Sequence, residues 1–108
     1  MKSYQEAQLD ALGDATRRAI LARLADEGPM PVGELARDFP VSRPAISQHL
    51  GVLLQCDLVA VRREGTRRLY VANHRAIANL RNDLETFWDA SLRRLKVDAE
   101  SAKRERRR

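Results

Sequence analysis

Three side chains in the stretch "SRPAISQHL" have the chemistry to read a patterned polar surface: Arg43, Ser47 and Gln48. An arginine offers parallel N–H donors that match the O6 and N7 acceptors of guanine. A glutamine donates and accepts, which matches N6 and N7 of adenine. The residue types that perform covalent chemistry are scattered by contrast. The chain has one cysteine, Cys56, and two histidines, His49 and His74. No Ser/His/Asp or Cys/His arrangement, glycine-rich phosphate loop or metal-ligand cluster is present in the sequence. The expectation is therefore no catalysis, no metal and no cofactor. Asp57 beside Cys56 would raise the thiol pKa rather than lower it, so Cys56 reads as a packing residue.

Reading the polar side chains out in one direction requires a helix. Ser42 is a suitable N-cap, Pro44 is tolerated in a first turn, and the helix runs to about Cys56. With Ile46 at zero and steps of about 100° per residue, Leu50 and Leu53 fall within about 40° of it and define the buried face. Arg43, Pro44, Ser47 and Gln48 form the exposed patch of the first two turns, without a carboxylate among them. His49 lies off that patch, about 60° from Ile46, and suits packing or a phosphate contact better than base reading. Before this helix, Val32, Leu35, Ala36 and Phe39 recur at helical spacing, so a short helix over 32–39 and a three-residue turn at Pro40–Ser42 are predicted. Two helices so spaced make a helix-turn-helix, whose second helix enters the major groove. After it, "LVAVRREGTRRLYVA" is rich in β-branched residues and broken at Glu64-Gly65, which predicts a hairpin over about 59–72. That hairpin carries Arg62, Arg63, Thr66, Arg67 and Arg68. It is either a solvated face with self-repelling charges or a basic wing against DNA, and the second reading is preferred.

Flanking elements complete the pattern. Ser3 and Glu6 form a capping box for a first helix with Tyr4, Leu9 and Leu12 as its apolar positions, and Gly13 suits its end. Asp14 can cap a second helix, with Ala15, Ala19, Ile20, Leu24 and Ala25 as its stripe and Gly28 as its stop. Arg17 and Arg18 either touch phosphate or pair with Asp14 or Asp10. Asn73 caps a last helix, His74 is its first residue, and it runs to about Lys96. Ile77, Leu80, Leu84, Phe87, Trp88, Ser91, Leu92 and Leu95 line one face of it. That stripe is broader than a small core needs and predicts a dimer interface.

Length and charge bound the partners. At 108 residues the chain is one domain with a modest core, and aromatics at 5% leave that core to aliphatic side chains. The net charge of +5 is unevenly spread: residues 1–41 carry −2, 42–75 carry +4, 76–92 carry −2 and 93–108 carry +5. The basic middle block coincides with the helix-turn-helix and hairpin, where it would steer a polyanion. The tail "AESAKRERRR" reads as a solvated end that can add non-specific phosphate affinity. The N-terminus has no signal-peptide run, and no stretch approaches the ~18 apolar residues of a membrane span, so a cytoplasmic location is expected.

Three blocks in order, "LGDATRRAIL", "VGELARDFPVSRPAISQHLGVLLQCDLV" and "RREGTRRLYVAN", resemble the ArsR-type (arsenic-repressor-like) bacterial transcriptional repressors over roughly residues 5–95. The resemblance implies a homodimer built on the first and last helices, binding an inverted-repeat operator. It also implies that Arg43, Pro44, Ser47 and Gln48 face the bases. Three departures stand out. The family's C-x-C metal motif has no counterpart in "VGELARDF", and the last helix has only His74, Asp83, Glu85 and Asp89 to offer a metal, so the chain resembles the non-metal branch. Asp57 stands where the family usually has the glycine that ends the recognition helix, and Asp tolerates the left-handed turn at some cost. Pro31 sits where a Ser or Thr cap would be usual for the third helix.

The sequence thus predicts a mainly α protein with a small β-hairpin, a winged helix-turn-helix of order α-α-α-α-β-β-α. Residues 1–97 form the DNA-binding and dimerisation domain and 98–108 a basic flexible tail. The expected function is a homodimeric repressor that binds double-stranded DNA through Ser42, Arg43, Pro44, Ser47, Gln48 and His49 together with Arg62, Arg63, Thr66, Arg67 and Arg68. Leu9, Leu12, Ile77, Leu80, Leu84, Phe87, Trp88 and Leu92 are the expected dimer contacts. The competing reading is a winged-helix module that binds a protein partner without reading DNA.

Overall fold

Where the helices begin follows from which residues can satisfy their open N–H groups. In the computed structural model, which describes residues 3–106, Ser3 and Glu6 exchange side-chain and backbone bonds as a capping box ahead of α1 (Tyr4–Ala11). Asp14 accepts from the Arg17 N–H at 3.0 Å and starts α2 (Ala15–Glu27). Gly28 ends α2 at φ 89°, a backbone conformation that needs glycine. Pro31 precedes α3 (Val32–Ala36) without a side-chain cap. Then come α4 (Arg43–Gln55), strands β1 (Val59–Glu64) and β2 (Arg67–Ala72), and α5 (His74–Arg106). Asn73 caps α5 by accepting from the Ala76 N–H at 3.2 Å. The order is the expected α-α-α-α-β-β-α of a winged helix-turn-helix.

The chain forms two compact units, one running to Ile77 and the other beginning at Ala78. In the first, α4 is the hub, in contact with α1, α2, α3 and β1, while α2 also packs on β2. Ile20, Leu24, Leu35, Ile46, Leu50, Leu53, Leu58 and Val59 are its fully buried side chains. Arg23 ties α2 to the segment after α3 by bridging Glu27 and Asp38.

The buried faces of α1 and α2 differ from the expected ones. On α1, Tyr4 and Leu9 are exposed and Leu12 is only half-buried, whereas Gln8 and Ala11 are buried. The helix is turned so that the Gln8 amide donates to the Cys56 carbonyl at 3.0 Å. On α2, Leu21 is buried beside Ile20 and Leu24, Ala15 and Ala19 are exposed, and Ala25 is half-buried. Larger side chains gain more from burial than alanines do, and they set the rotation.

Helix ends also moved. The third helix stops at Ala36 rather than Phe39, because Arg37 and Phe39 donate back three residues, to Glu34 and Ala36, in tightened turns. The link to α4 is therefore longer than the expected Pro40–Ser42. The hairpin turn is Gly65-Thr66, one residue later than read, with Gly65 at φ 64°. The last helix continues past Lys96 to Arg106. Along it Leu80 is buried and Ile77, Leu84 and Ser91 are half-buried. Phe87, Trp88, Leu92, Leu95 and Val97 are each more than half exposed, with the Phe87 and Trp88 ring centroids 6.5 Å apart.

Candidate nucleic-acid interface

The start of α4 is built to leave its outer face free. The Ser42 hydroxyl accepts from the Ala45 N–H at 3.2 Å, and Pro44 occupies a first-turn position whose N–H would have no helical partner. Ile46, Leu50 and Leu53 are fully buried, as the spacing required. Their burial turns Arg43, Pro44, Ser47 and Gln48 to solvent together. His49 is half-buried on another side, near Asp14. The Asp14 carboxyl is held below the usual range chiefly by the Arg17 N–H and secondarily by the His49 charge.

The end of α4 is fastened by Tyr4 and Asn73. Asp57 takes φ 59°, the left-handed turn that a glycine would adopt freely. The Tyr4 hydroxyl donates to its carboxylate, and Asn73 Nδ2 donates to its carbonyl at 2.9 Å. The hydrogen bond to Asp57 pushes the Tyr4 phenol up to about 12. Cys56 is buried, its Sγ–H donates to the Leu53 carbonyl at 3.5 Å, and burial pushes the thiol up. Arg17 and Arg18 lie at the start of α2, where the Arg17 charge joins its N–H in favouring the Asp14 carboxylate. Their side chains donate to the Ala11 and Leu12 carbonyls, each at 2.7 Å, and so close the end of α1.

The hairpin has a fixed base and an open tip. Val59, Leu69, Tyr70 and Ala72 are buried, while residues 62–68 are exposed. Met30, from the α2–α3 connector, exchanges two backbone bonds with Tyr70, at 3.1 and 2.9 Å. It thus adds a one-residue bridge to the free edge of β2. Toward the tip Arg63 lies opposite Arg68, a like-charge pair that costs stability in isolation. Arg68 rests over the Tyr70 ring at 5.6 Å, Arg62 lies 3.8 Å from Glu64, and Thr66 is exposed in the turn.

Between α3, the first turns of α4 and β2 runs an open groove of about 850 Å³. It gathers Arg43, Ser47, Arg67 and Arg68, which the sequence had singled out, and adds Glu34, Arg37 and Tyr70, which it had not. Gln48, His49, Arg62, Arg63 and Thr66 are outside its lining. The Arg43 guanidinium lies over Gly33, 3.7 Å from where a Cβ would stand. Arg37 carries no signal of its own in the sequence, because the apolar spacing from Val32 to Phe39 places it inside a longer α3. Its neighbour Asp38 and the Arg23–Glu27 pair had one signal, the four-residue spacing of that pair.

Among the described residues no group of three or more His, Cys, Asp or Glu could hold a metal ion, and no helix is long and apolar enough to cross a membrane. A "Helix-turn-helix domain" family matches residues 12–62. The chain is 58% identical over 82 residues to the HTH-type transcriptional regulator Rv2034 of Mycobacterium tuberculosis, covering 76% of each. It is 31% identical over 85 residues to an arsenical resistance operon repressor of Staphylococcus xylosus, covering 77% of this chain and 81% of that one. An ArsR-like transcriptional regulator from Rhodococcus sp. RHA1 superposes with a TM-score of 0.77 at 32% identity, over 87% of this chain and 88% of that one. Fold, site and relatives together define a winged helix-turn-helix DNA-binding protein. The chain belongs to the ArsR family of transcriptional regulators, which are not enzymes.

Proposed function

We propose that this regulator is a homodimeric repressor that occupies an inverted-repeat operator, with α4 in the major groove and the hairpin against the flanking backbone. The observation that carries this reading is the exposed, carboxylate-free face of Arg43, Pro44, Ser47 and Gln48 beside an arginine-rich hairpin. Arg43, Ser47 and Gln48 read base edges, and Ser42 fixes the helix start that aims them. Arg62, Arg63, Thr66, Arg67 and Arg68 contact phosphates, which relieves the Arg63–Arg68 opposition. His49 supports the helix from behind. A second copy covers the apolar stripe of α5 at Phe87, Trp88 and Leu92, next to Ile77, Leu80 and Leu84, and Leu9 and Leu12 of α1 add to that interface. Two recognition helices then sit about one turn of duplex apart. Repression needs only occupancy of promoter DNA in a reducing cytoplasm, and the arsenical repressor among the relatives supports that direction of control.

The test is selection of bound duplexes from a random pool at near-physiological salt. An inverted repeat with half-sites about one helical turn apart is the expected outcome. A pool that enriches nothing beyond salt-sensitive retention would remove base reading from α4 and leave a protein-binding winged helix.

A further inference from the structure

We propose that the groove between α3, the start of α4 and β2 seats one sugar–phosphate strand of bound DNA, and that Arg37 is a phosphate contact on its α3 side. The proposal rests on the DNA-contact reading of α4 and the hairpin and gives that reading a specific strand path. Four arginines, Arg37, Arg43, Arg67 and Arg68, line the groove against one carboxylate, Glu34. Arg23 and Arg62 are each bridged to a carboxylate, whereas among the described residues none of the four groove arginines is. Four uncompensated guanidiniums around one concavity focus a positive potential there, which draws a polyanion into it.

Shape selects a polymer over a free ion. A groove of about 850 Å³ is far larger than one small anion needs, a water's share of liquid volume being ~30 Å³. Pro31, Val32 and Tyr70 give it apolar wall on which a sugar can rest. Arg68 already rests over the Tyr70 ring, and the Arg43 guanidinium lies beside Gly33. Ser47 belongs both to the groove lining and to the exposed face of α4, so a strand lying here brings its base edges beside that face. Arg37 and Arg67 then approach the strand from opposite walls.

Arg37→Gln, Arg67→Gln, Glu34→Gln and Arg75→Gln variants are compared with the parent by anisotropy titration of a random-sequence duplex at several salt concentrations, after circular dichroism shows each folded. Arg75 is exposed at the start of α5, outside the groove, and serves as a charge-matched control. Arg37→Gln and Arg67→Gln should each flatten the slope of log affinity against log salt by about one unit, with Arg75→Gln unchanged. Glu34→Gln should tighten binding several-fold, a gain that misfolding cannot produce. A parental slope in Arg37→Gln beside a flattened one in Arg67→Gln would overturn the proposal and confine the backbone contact to the hairpin. Weaker or unchanged binding by Glu34→Gln would also overturn it. Saturable thermal stabilisation of the free protein by inorganic phosphate at constant ionic strength, lost in Arg37→Gln, would assign the groove to a discrete anion instead. Failure of the parent to bind any duplex would overturn the DNA-contact reading itself.

Discussion

At the scale of single residues, the proposed function divides the exposed face of α4 into side chains that aim and side chains that read. Gln48 is exposed and outside the groove, so its amide is free to meet a base edge. Gln48→Ala should relax preference at one position of each half-site, at a cost of ~1–3 kcal/mol in binding the selected sequence. Repeating the selection with the variant checks this, and an unchanged consensus would remove Gln48 from the reading set. Tyr4 makes a different kind of claim. Its phenol gives a hydrogen bond to Asp57 and is pushed up to about 12, so the folded chain holds that proton above the usual tyrosine range near 10. Between those values the folded state binds more protons than the unfolded one. The stabilisation is therefore intact below about pH 10 and drains away toward pH 12. Spectrophotometric titration of the parent against Tyr4→Phe should assign the late-ionising phenol to Tyr4, and Asp57→Asn should bring it back toward 10.

At the scale of elements, the junction after α4 shows how a departure from family pattern is accommodated. Asp57 sits in the left-handed region that glycine occupies without strain, yet its carboxylate accepts from Tyr4. Asp57→Gly removes both the strain and the bond, and stability should change by no more than about 0.5 kcal/mol. Asp57→Ala keeps the strain and loses the bond, and should cost ~1–2 kcal/mol. Chemical denaturation of the two variants reads the difference, and equal losses would show that the left-handed turn carries no strain. The register of α4 was legible because Ile46, Leu50 and Leu53 are bulky and one-sided. The faces of α1 and α2 were not: on α2 Ala15 and Ala19 look apolar in sequence but yield burial to Leu21, and on α1 Tyr4 and Leu9 stay exposed while Ala11 and a hydrogen-bonding Gln8 are buried. The end of α3 was hidden because its apolar spacing runs on to Phe39 while the backbone has already tightened. The far end of α5 was hidden because "VDAESAKRER" has helix-forming residues without an apolar stripe. Arg43, Ser47, Arg67 and Arg68 could be named from sequence; that they share a groove with Arg37 and Glu34 depends on a chain reversal that no local pattern encodes.

At the scale of the whole molecule, α5 carries apolar surface that the described chain leaves in water. Each large side chain such as Phe87, Trp88 or Leu92 contributes roughly 1.5–3 kcal/mol when fully buried, and together they form the surface that the proposed second copy would cover. Trp88→Arg should leave helical content unchanged but shift sedimentation from dimer to monomer, and weaken binding to a two-half-site operator far more than to a single half-site. A parental sedimentation profile would move the dimer contact elsewhere on the chain. The hairpin adds a consequence for the thermodynamics of association. Because the Met30 bridge pins the edge of β2 opposite to β1, the backbone at the wing's base is already ordered before any duplex arrives. In the proposed contact with phosphates, what remains to be immobilised is mainly the arginine side chains near the tip, at about 0.5–1.5 kcal/mol each. The proposed wing contact would thus concentrate its entropy loss in guanidinium rotamers rather than in a folding loop.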